Sequence, residues 1–205
     1  DKSQFLKSYN RAKRYSPRLP SVFLSHLSKE DYAFLSEKLR KFKGFYVQKR
    51  AVRDYQTEIG ANVLGYIAEV NPDNISTDGY YKLGDLIGKQ GVEKSYEKDL
   101  RGIKGVKYIQ KDIYNRDIGS YKNGQFDSLP LPGKNITLTI DATLQEYGEK
   151  LMQNKMGGIV AIEPSSGELL TIVSAPSYNP SLLVGRERSK NYTKLYRDSI
   201  HRPLF

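Results

Sequence analysis

The 205-residue sequence has no cysteine and no tryptophan, and only two histidines and two methionines. The missing thiols exclude disulfides, thiolate nucleophiles and cysteine-ligated zinc. They are compatible with a bacterial extracytoplasmic setting. No stretch approaches the ~20 consecutive apolar residues that cross a bilayer, and no charged-then-apolar leader opens the chain. Because the first residue is Asp1 rather than Met, the sequence is expected to be trimmed from a longer parent. An absent anchor therefore says nothing against membrane attachment of that parent. His26 and His201 fall in no metal-ligand spacing, so neither a metal nor a cofactor is expected.

What the sequence does have is positive charge and tyrosine. Thirty-three Lys and Arg face twenty-three Asp and Glu, for a net charge of +10, and there are sixteen Tyr. With 38% hydrophobic and 27% charged residues, the chain is a polar but folded one, long enough for one or two domains and a sizeable core. The cations cluster as Arg11, Lys13, Arg14 and Arg18, as Lys38, Arg40, Lys41, Lys43, Lys49, Arg50 and Arg53, and as Lys98, Arg101, Lys104 and Lys107, with tyrosines between. One reading is a basic module that binds nucleic acid or another polyanion. The plainer reading is a solvated surface with general attraction to anionic lipid and no specific nucleic-acid partner.

Periodicity divides the chain. Residues 2–15 predict a helix with Phe5, Leu6, Tyr9 and Ala12 on one side, ended by Ser16-Pro17. A connector follows over 17–27. Ser28 through Asp31 resembles a capping box, and Tyr32, Leu35, Leu39 and Phe42 step along a second helix closed by Gly44. Residues 45–54 read as a strand, 61–67 as a short helix or turn feeding a strand, and 71–74 as a turn. Residues 92–100 predict a helix and 106–118 a strand. The Gly- and Pro-rich stretch 119–133 is the best domain boundary.

The chain is organised around residues 136–180. Ile136, Leu138 and Ile140 alternate with polar residues, as in a half-buried strand. Asp141 stands at an N-cap position. Leu144, Tyr147 and Leu151 then predict the buried stripe of a short helix, stopped by Gly157-Gly158. Two apolar runs, 159–162 and 169–173, flank a turn containing Pro164 and Gly167 and predict a hairpin covered on both faces.

Together with the exit from Ser174 through Pro176 to Pro180, this stretch resembles the opening of the transpeptidase domain of class B penicillin-binding proteins. Earlier motifs resemble the same family in the same order. These are Phe42 to Val47, Arg53-x-Tyr55, Asn62 to Ile67 with Gly65 and Tyr66, and the run from Gly88 through Gly91, Glu93, Tyr96, Leu100, Arg101 and Gly102 to Gly105. Gln56 departs from the proline that the family usually carries after Arg-x-Tyr, which bears on the local turn. The motifs are closer to the elongation-type branch (penicillin-binding protein 2) than to the division type.

The resemblance implies an α+β chain: an elongated pedestal over 1–133 with a small head around 20–85, then the incomplete N-terminal part of a transpeptidase sheet domain over 134–205. It implies a parent that cross-links peptidoglycan stem peptides through a serine acyl-enzyme trapped by β-lactams. It also implies an anchor upstream of Asp1, a place on the periplasmic face of the inner membrane, and a glycan polymerase and a scaffold protein as partners. The catalytic Ser-x-x-Lys of the family would lie past Phe205, leaving this segment non-catalytic. An open sheet edge gives the segment reason to associate with itself or to lean its strands on the pedestal.

Within the chain, Ser95 and Lys98 spell Ser-x-x-Lys, a pairing in which the lysine can take the serine's proton. So short a pattern recurs by chance, and it precedes the strands that should frame a site. Ser177-Tyr178-Asn179 and Ser8-Tyr9-Asn10 match Ser-x-Asn, but no Lys-Thr-Gly accompanies them, so both are expected to be structural. The run from Gly84 to Gln90 has one residue too few, and no Ser or Thr for Mg²⁺, to be a phosphate loop. No catalytic residue is assigned.

Overall fold

The computed structural model describes residues 2–15, 21–25, 27–42, 44–47, 53–77, 79–82, 84–114 and 116–204. The calls on Ser16, Pro17, Arg18, His26, Lys43, Lys49 and Arg50 lie outside these described residues. In chain order the elements are α1 (Lys2–Tyr15), α2 (Lys29–Leu39), α3 (Ala61–Leu64), β1 (Ile67–Glu69), α4 (Pro72–Thr77), β2 (Leu86–Gly88), α5 (Gly91–Ser95) and α6 (Glu97–Leu100). There follow β3 (Ile109–Lys111), β4 (Asp117–Ser120), α7 (Ala142–Leu151), β5 (Gly157–Ile162), β6 (Leu169–Ala175) and α8 (Arg188–Arg197). The fold is α+β, with short antiparallel pairs β1–β2, β3–β4 and β5–β6.

The chain forms two compact units, each discontinuous in sequence. One comprises Asp1–Arg50 and Ile103–Leu131. Here α2 starts as its sequence predicts, the Ser28 hydroxyl accepting the Asp31 N–H at 3.0 Å. It stops at Leu39, before Gly44. Phe23 packs edge-on to Phe5 at 5.0 Å and to Phe45 at 5.4 Å, holding α1 in the unit. Residues 45–47 form no strand. The single strand expected over 106–118 is instead the hairpin β3–β4. The chain reverses where the Asp112 carboxylate accepts the N–H groups of Tyr114 and Arg116, each at 2.8 Å.

The other unit comprises Ala51–Gly102 and Pro132–Phe205. Its core is Ala61, Tyr178, Leu183 and Leu204, with Tyr66, Tyr192 and Leu195 against it. Residues 71–74 do not merely turn. Pro72, its φ pre-set for the first helical position, opens α4. The helix expected over 92–100 is broken into α5 and α6 at Tyr96, whose φ of −109° and ψ of 21° leave helical space.

Around the hairpin the expectations divide. Asp141 caps α7, accepting the Leu144 N–H at 2.9 Å. Residues 136, 138 and 140 are half-buried and 137 and 139 exposed, as the alternation predicts, yet they join no strand ladder. α7 ends at Leu151, six residues before Gly157, which begins β5. Its buried face is Gln145 and Gly148, while Leu144, Tyr147 and Leu151 are 36%, 58% and 45% exposed. The reversal has a physical cause. Gln145 Nε2 donates to the Ile172 carbonyl at 2.8 Å and to Glu149 at 2.9 Å. Its Oε1 accepts the Thr171 hydroxyl at 2.6 Å and the Ile172 N–H at 2.9 Å. At Gly148 an added Cβ would stand 2.8 Å from Val173, so only glycine lets the helix this close to β6. The hairpin is not covered on both faces. Thr171 and Val173 are buried beneath α7, whereas Val160 and Ile162 point the other way and are 59% and 55% exposed.

Gln145→Ala should therefore cost about 2–3 kcal/mol in urea unfolding, because it strands buried partners. Tyr147→Ala, on the exposed face, should cost under about 1 kcal/mol. Equal losses would contradict the orientation of α7.

Candidate functional site

The motif residues of the second unit meet at a joint built on one carboxylate. Glu93, on α5, is 7% exposed. Arg53 grips it with both ends of its guanidinium, Nε on Oε1 at 2.7 Å and a terminal nitrogen on Oε2 at 2.8 Å. This fork-on-fork geometry suits arginine and not lysine. The Tyr55 hydroxyl stands 3.5 Å from Oε1. Hydrogen bonding to Glu93 raises the Arg53 pKa above its ordinary value. Burial, then the Glu93 charge, pushes Tyr55 well above the ordinary tyrosine value.

Three glycines let backbone touch backbone beside this pair. A Cβ on Gly65 would lie 1.9 Å from the Gln90 carbonyl oxygen, one on Gly91 2.3 Å from that of Val63, and one on Gly88 2.0 Å from that of Glu93. Gly65 and Gly91 also have φ of +80° and +60°, where other residues are strained. Glu97 ties the joint to its surroundings, one oxygen accepting the Tyr81 hydroxyl at 2.7 Å and the other the Gly88 N–H at 2.8 Å. The Arg101 guanidinium lies over the Tyr80 and Tyr81 rings at 4.1 and 5.2 Å. Next to Leu100, Gly133 again excludes a Cβ, which would fall 2.1 Å from the Leu100 carbonyl oxygen.

The remaining motif residues are dispersed. Tyr66 packs on Tyr192 at 5.5 Å, Tyr96 is the half-exposed break between α5 and α6, and Gly102 turns the chain at φ +66°. Gly105, in the other unit, abuts Ser128 and Pro130. Gly157 and Gly158 lie in β5, Pro164 and Gly167 in the hairpin turn, Pro176 follows a cis peptide bond, and Pro180, itself buried, opens a 3₁₀ turn. Glu97, Tyr81, Gln145 and Glu149 escaped the sequence reading. Glu149 accepts the Gly60 N–H at 2.7 Å from across the fold. Gln145 carried a faint signal, lying one turn after the Asp141 cap.

Ser95 and Lys98 lie on separate helices and both are exposed. Asn179 caps the turn after it through the Ser181 N–H at 2.8 Å. No cluster of three metal-ligating side chains occurs among the described residues. A cleft of about 330 Å³ runs between Asn62, Val63, Gly91, Val92, Ser95, Tyr96, Ile172 and Ser174, without an acid–base pair in its lining.

The model of the penicillin-binding protein dimerisation domain matches residues 1–138. The chain belongs to that family. Among curated relatives, peptidoglycan D,D-transpeptidase MrdA of Acinetobacter baumannii is 34% identical over 88% of this chain and 26% of its own length. The penicillin-binding protein of Helicobacter pylori, described as PBP2 in complex with MreC, superposes with a TM-score of 0.77 at 25% identity, over all of this chain and 41% of that one. PBP2 of Pseudomonas aeruginosa, in complex with WCK 5153, is 37% identical over 75% of this chain and 30% of that one, with a TM-score of 0.57. The chain thus spans about a quarter of the length of its A. baumannii relative.

Two predictions follow from the penicillin-binding-protein joint. Arg53→Met should destabilise by about 2–3 kcal/mol, less than a fully buried pair because the Arg53 side chain is 36% exposed. Adding Glu93→Gln should recover part of that loss in a double-mutant cycle, whereas strict additivity would refute coupling. Burial pushes Tyr81 and Tyr178 from 10.0 up to about 12. Unfolding frees these phenols to ionise at their ordinary value, so stability is complete below pH 10.0 and falls between 10.0 and about 12. Tyr81→Phe with Tyr178→Phe should reduce that alkaline loss in urea midpoints measured across the window, with Tyr55, raised by burial as well, leaving part of it in place.

Proposed function

We propose that the chain supplies the non-catalytic pedestal, residues 1–133, and the opening of the transpeptidase domain, residues 134–205, of an elongation-type peptidoglycan D,D-transpeptidase serving cell-wall elongation and cell shape. The whole protein would cross-link stem peptides through a serine acyl-enzyme that β-lactams trap. It would be held by an anchor upstream of Asp1 at the periplasmic face of the inner membrane. A glycan polymerase and a scaffold protein would be its partners. The MreC bound to the H. pylori PBP2 and the names of the curated relatives support this reading.

The observation that carries it is the unequal treatment of the two edges of the β5–β6 hairpin. Along β6 outward backbone groups of residues 169, 170 and 172 are taken. Gln145 occupies both groups of Ile172, the Asp141 N–H donates to the Leu170 carbonyl at 2.8 Å, and the Thr139 hydroxyl to that of Leu169 at 2.7 Å. Among the described residues β5 pairs only with β6, and its apolar Val160 and Ile162 are exposed. Two strands alone are marginal. A hairpin sealed on one side and open on the other is what the first two strands of a larger sheet require.

The 205-residue chain is expected not to be labelled by a fluorescent penicillin on a denaturing gel. Covalent labelling of one serine would overturn the non-catalytic assignment.

A further inference from the structure

Helix α1 carries two unlike surfaces. Through Phe5 it is bound to Phe23 of its own unit. Tyr9 stacks on Phe5 at 6.5 Å, and the Ala12 carbonyl accepts the Ser21 hydroxyl at 3.3 Å. Lys2, Leu6, Tyr9 and Lys13 step by four, three and four residues and so share one face. All four are exposed, Leu6 and Tyr9 at 46% each. This face reads cation, aliphatic, aromatic, cation along the axis. The helix contains no acidic residue, and Lys7, Arg11 and Arg14 add three further cations at spacings of four and three. Like charges so spaced repel one another and weaken an isolated helix. An external anion layer would relieve that repulsion.

We propose that this face of α1 rests on an anionic phospholipid surface, with Leu6 and Tyr9 at the level of the headgroups and Lys2 and Lys13 on lipid phosphates. Charge complementarity argues for an anion. The apolar pair decides between a bilayer and a soluble polyanion. Exposed Leu6 and Tyr9 gain nothing from a hydrated polyphosphate, whereas a bilayer interface takes up both an aliphatic chain and a phenol with a wet hydroxyl. The lysine stems on either side are long enough to lie along that surface with their ammonium groups in water. The inference stands on α1 alone and does not depend on the transpeptidase reading.

The absence of tryptophan supplies the test. In the full chain, Tyr9→Trp places a single indole on this face, and Tyr196→Trp places one on exposed α8 as a reference. Vesicles of phosphatidylcholine containing phosphatidylglycerol should shift the Tyr9→Trp emission to the blue, and added salt should reverse the shift. Pure phosphatidylcholine vesicles should leave it unchanged, as should either vesicle the Tyr196→Trp emission. Adding Lys2→Glu and Lys13→Glu should weaken vesicle binding roughly tenfold. No shift at Tyr9→Trp, an equal shift at Tyr196→Trp, or indifference to the charge reversals would overturn the proposal. So would binding of soluble polyphosphate that the reversals abolish, if vesicles produced no blue shift.

Discussion

The second unit depends on bringing backbone against backbone around Gly65, Gly88 and Gly91. At these points a single added carbon would collide with a carbonyl oxygen at 1.9 to 2.3 Å. That closeness lets β1 pair with β2, Ile67 opposite Gly88, and brings α3 beside α5. It also fixes where Glu93 stands. A carboxylate there is unavoidably buried, and burying it alone would be costly. The bidentate Arg53 offsets that cost, and arginine is the side chain whose planar fork can do so with two bonds. Glycine spacing and ion pair are thus one device. The glycines create the proximity and the arginine makes it tolerable.

The same logic explains Glu97. The strand residue Gly88 turns its N–H inward, and Glu97 accepts it while also receiving the Tyr81 hydroxyl. Tyr80 and Tyr81 in turn flank Arg101. Tyrosine suits these two positions because each ring covers apolar surface and still offers a hydroxyl, Tyr80 to the Arg101 carbonyl and Tyr81 to the Glu97 carboxylate.

Local signals in the sequence were legible where chemistry acts within a few residues. The Ser28 and Asp141 caps, the span of α1, the short helix before β1 and the 157–175 hairpin needed no distant partner. Signals failed where a distant partner decides. Leu144, Tyr147 and Leu151 have the spacing of a buried stripe, yet three hydrogen bonds between Gln145 and β6 and the flat surface of Gly148 pull the opposite face onto the strand. Residues 136–140 keep their alternating burial without a ladder because Gln145, Asp141 and Thr139 already meet the edge of β6. The motif Arg53, Tyr55 and Glu93 could be picked out by resemblance, but its meaning as an ion pair across forty residues needed coordinates.

The exposed stripe of α7 and the exposed face of β5 have a common explanation in that arrangement. A helix that docks through an amide leaves its aliphatic face outward, and a strand pair sealed along β6 can extend only beyond β5. Leu144, Tyr147, Val160 and Ile162 would each gain roughly 1–2 kcal/mol from full burial, so leaving all four wet forgoes more than a domain of this size can spare without reason. Stability in this part of the chain accordingly rests on polar contacts, the Gln145 cluster above all, rather than on area. That is an unusual reliance, because hydrogen bonds contribute little net free energy each and cost much when broken. It makes the α7–β6 contact specific in register and sensitive to a single amide.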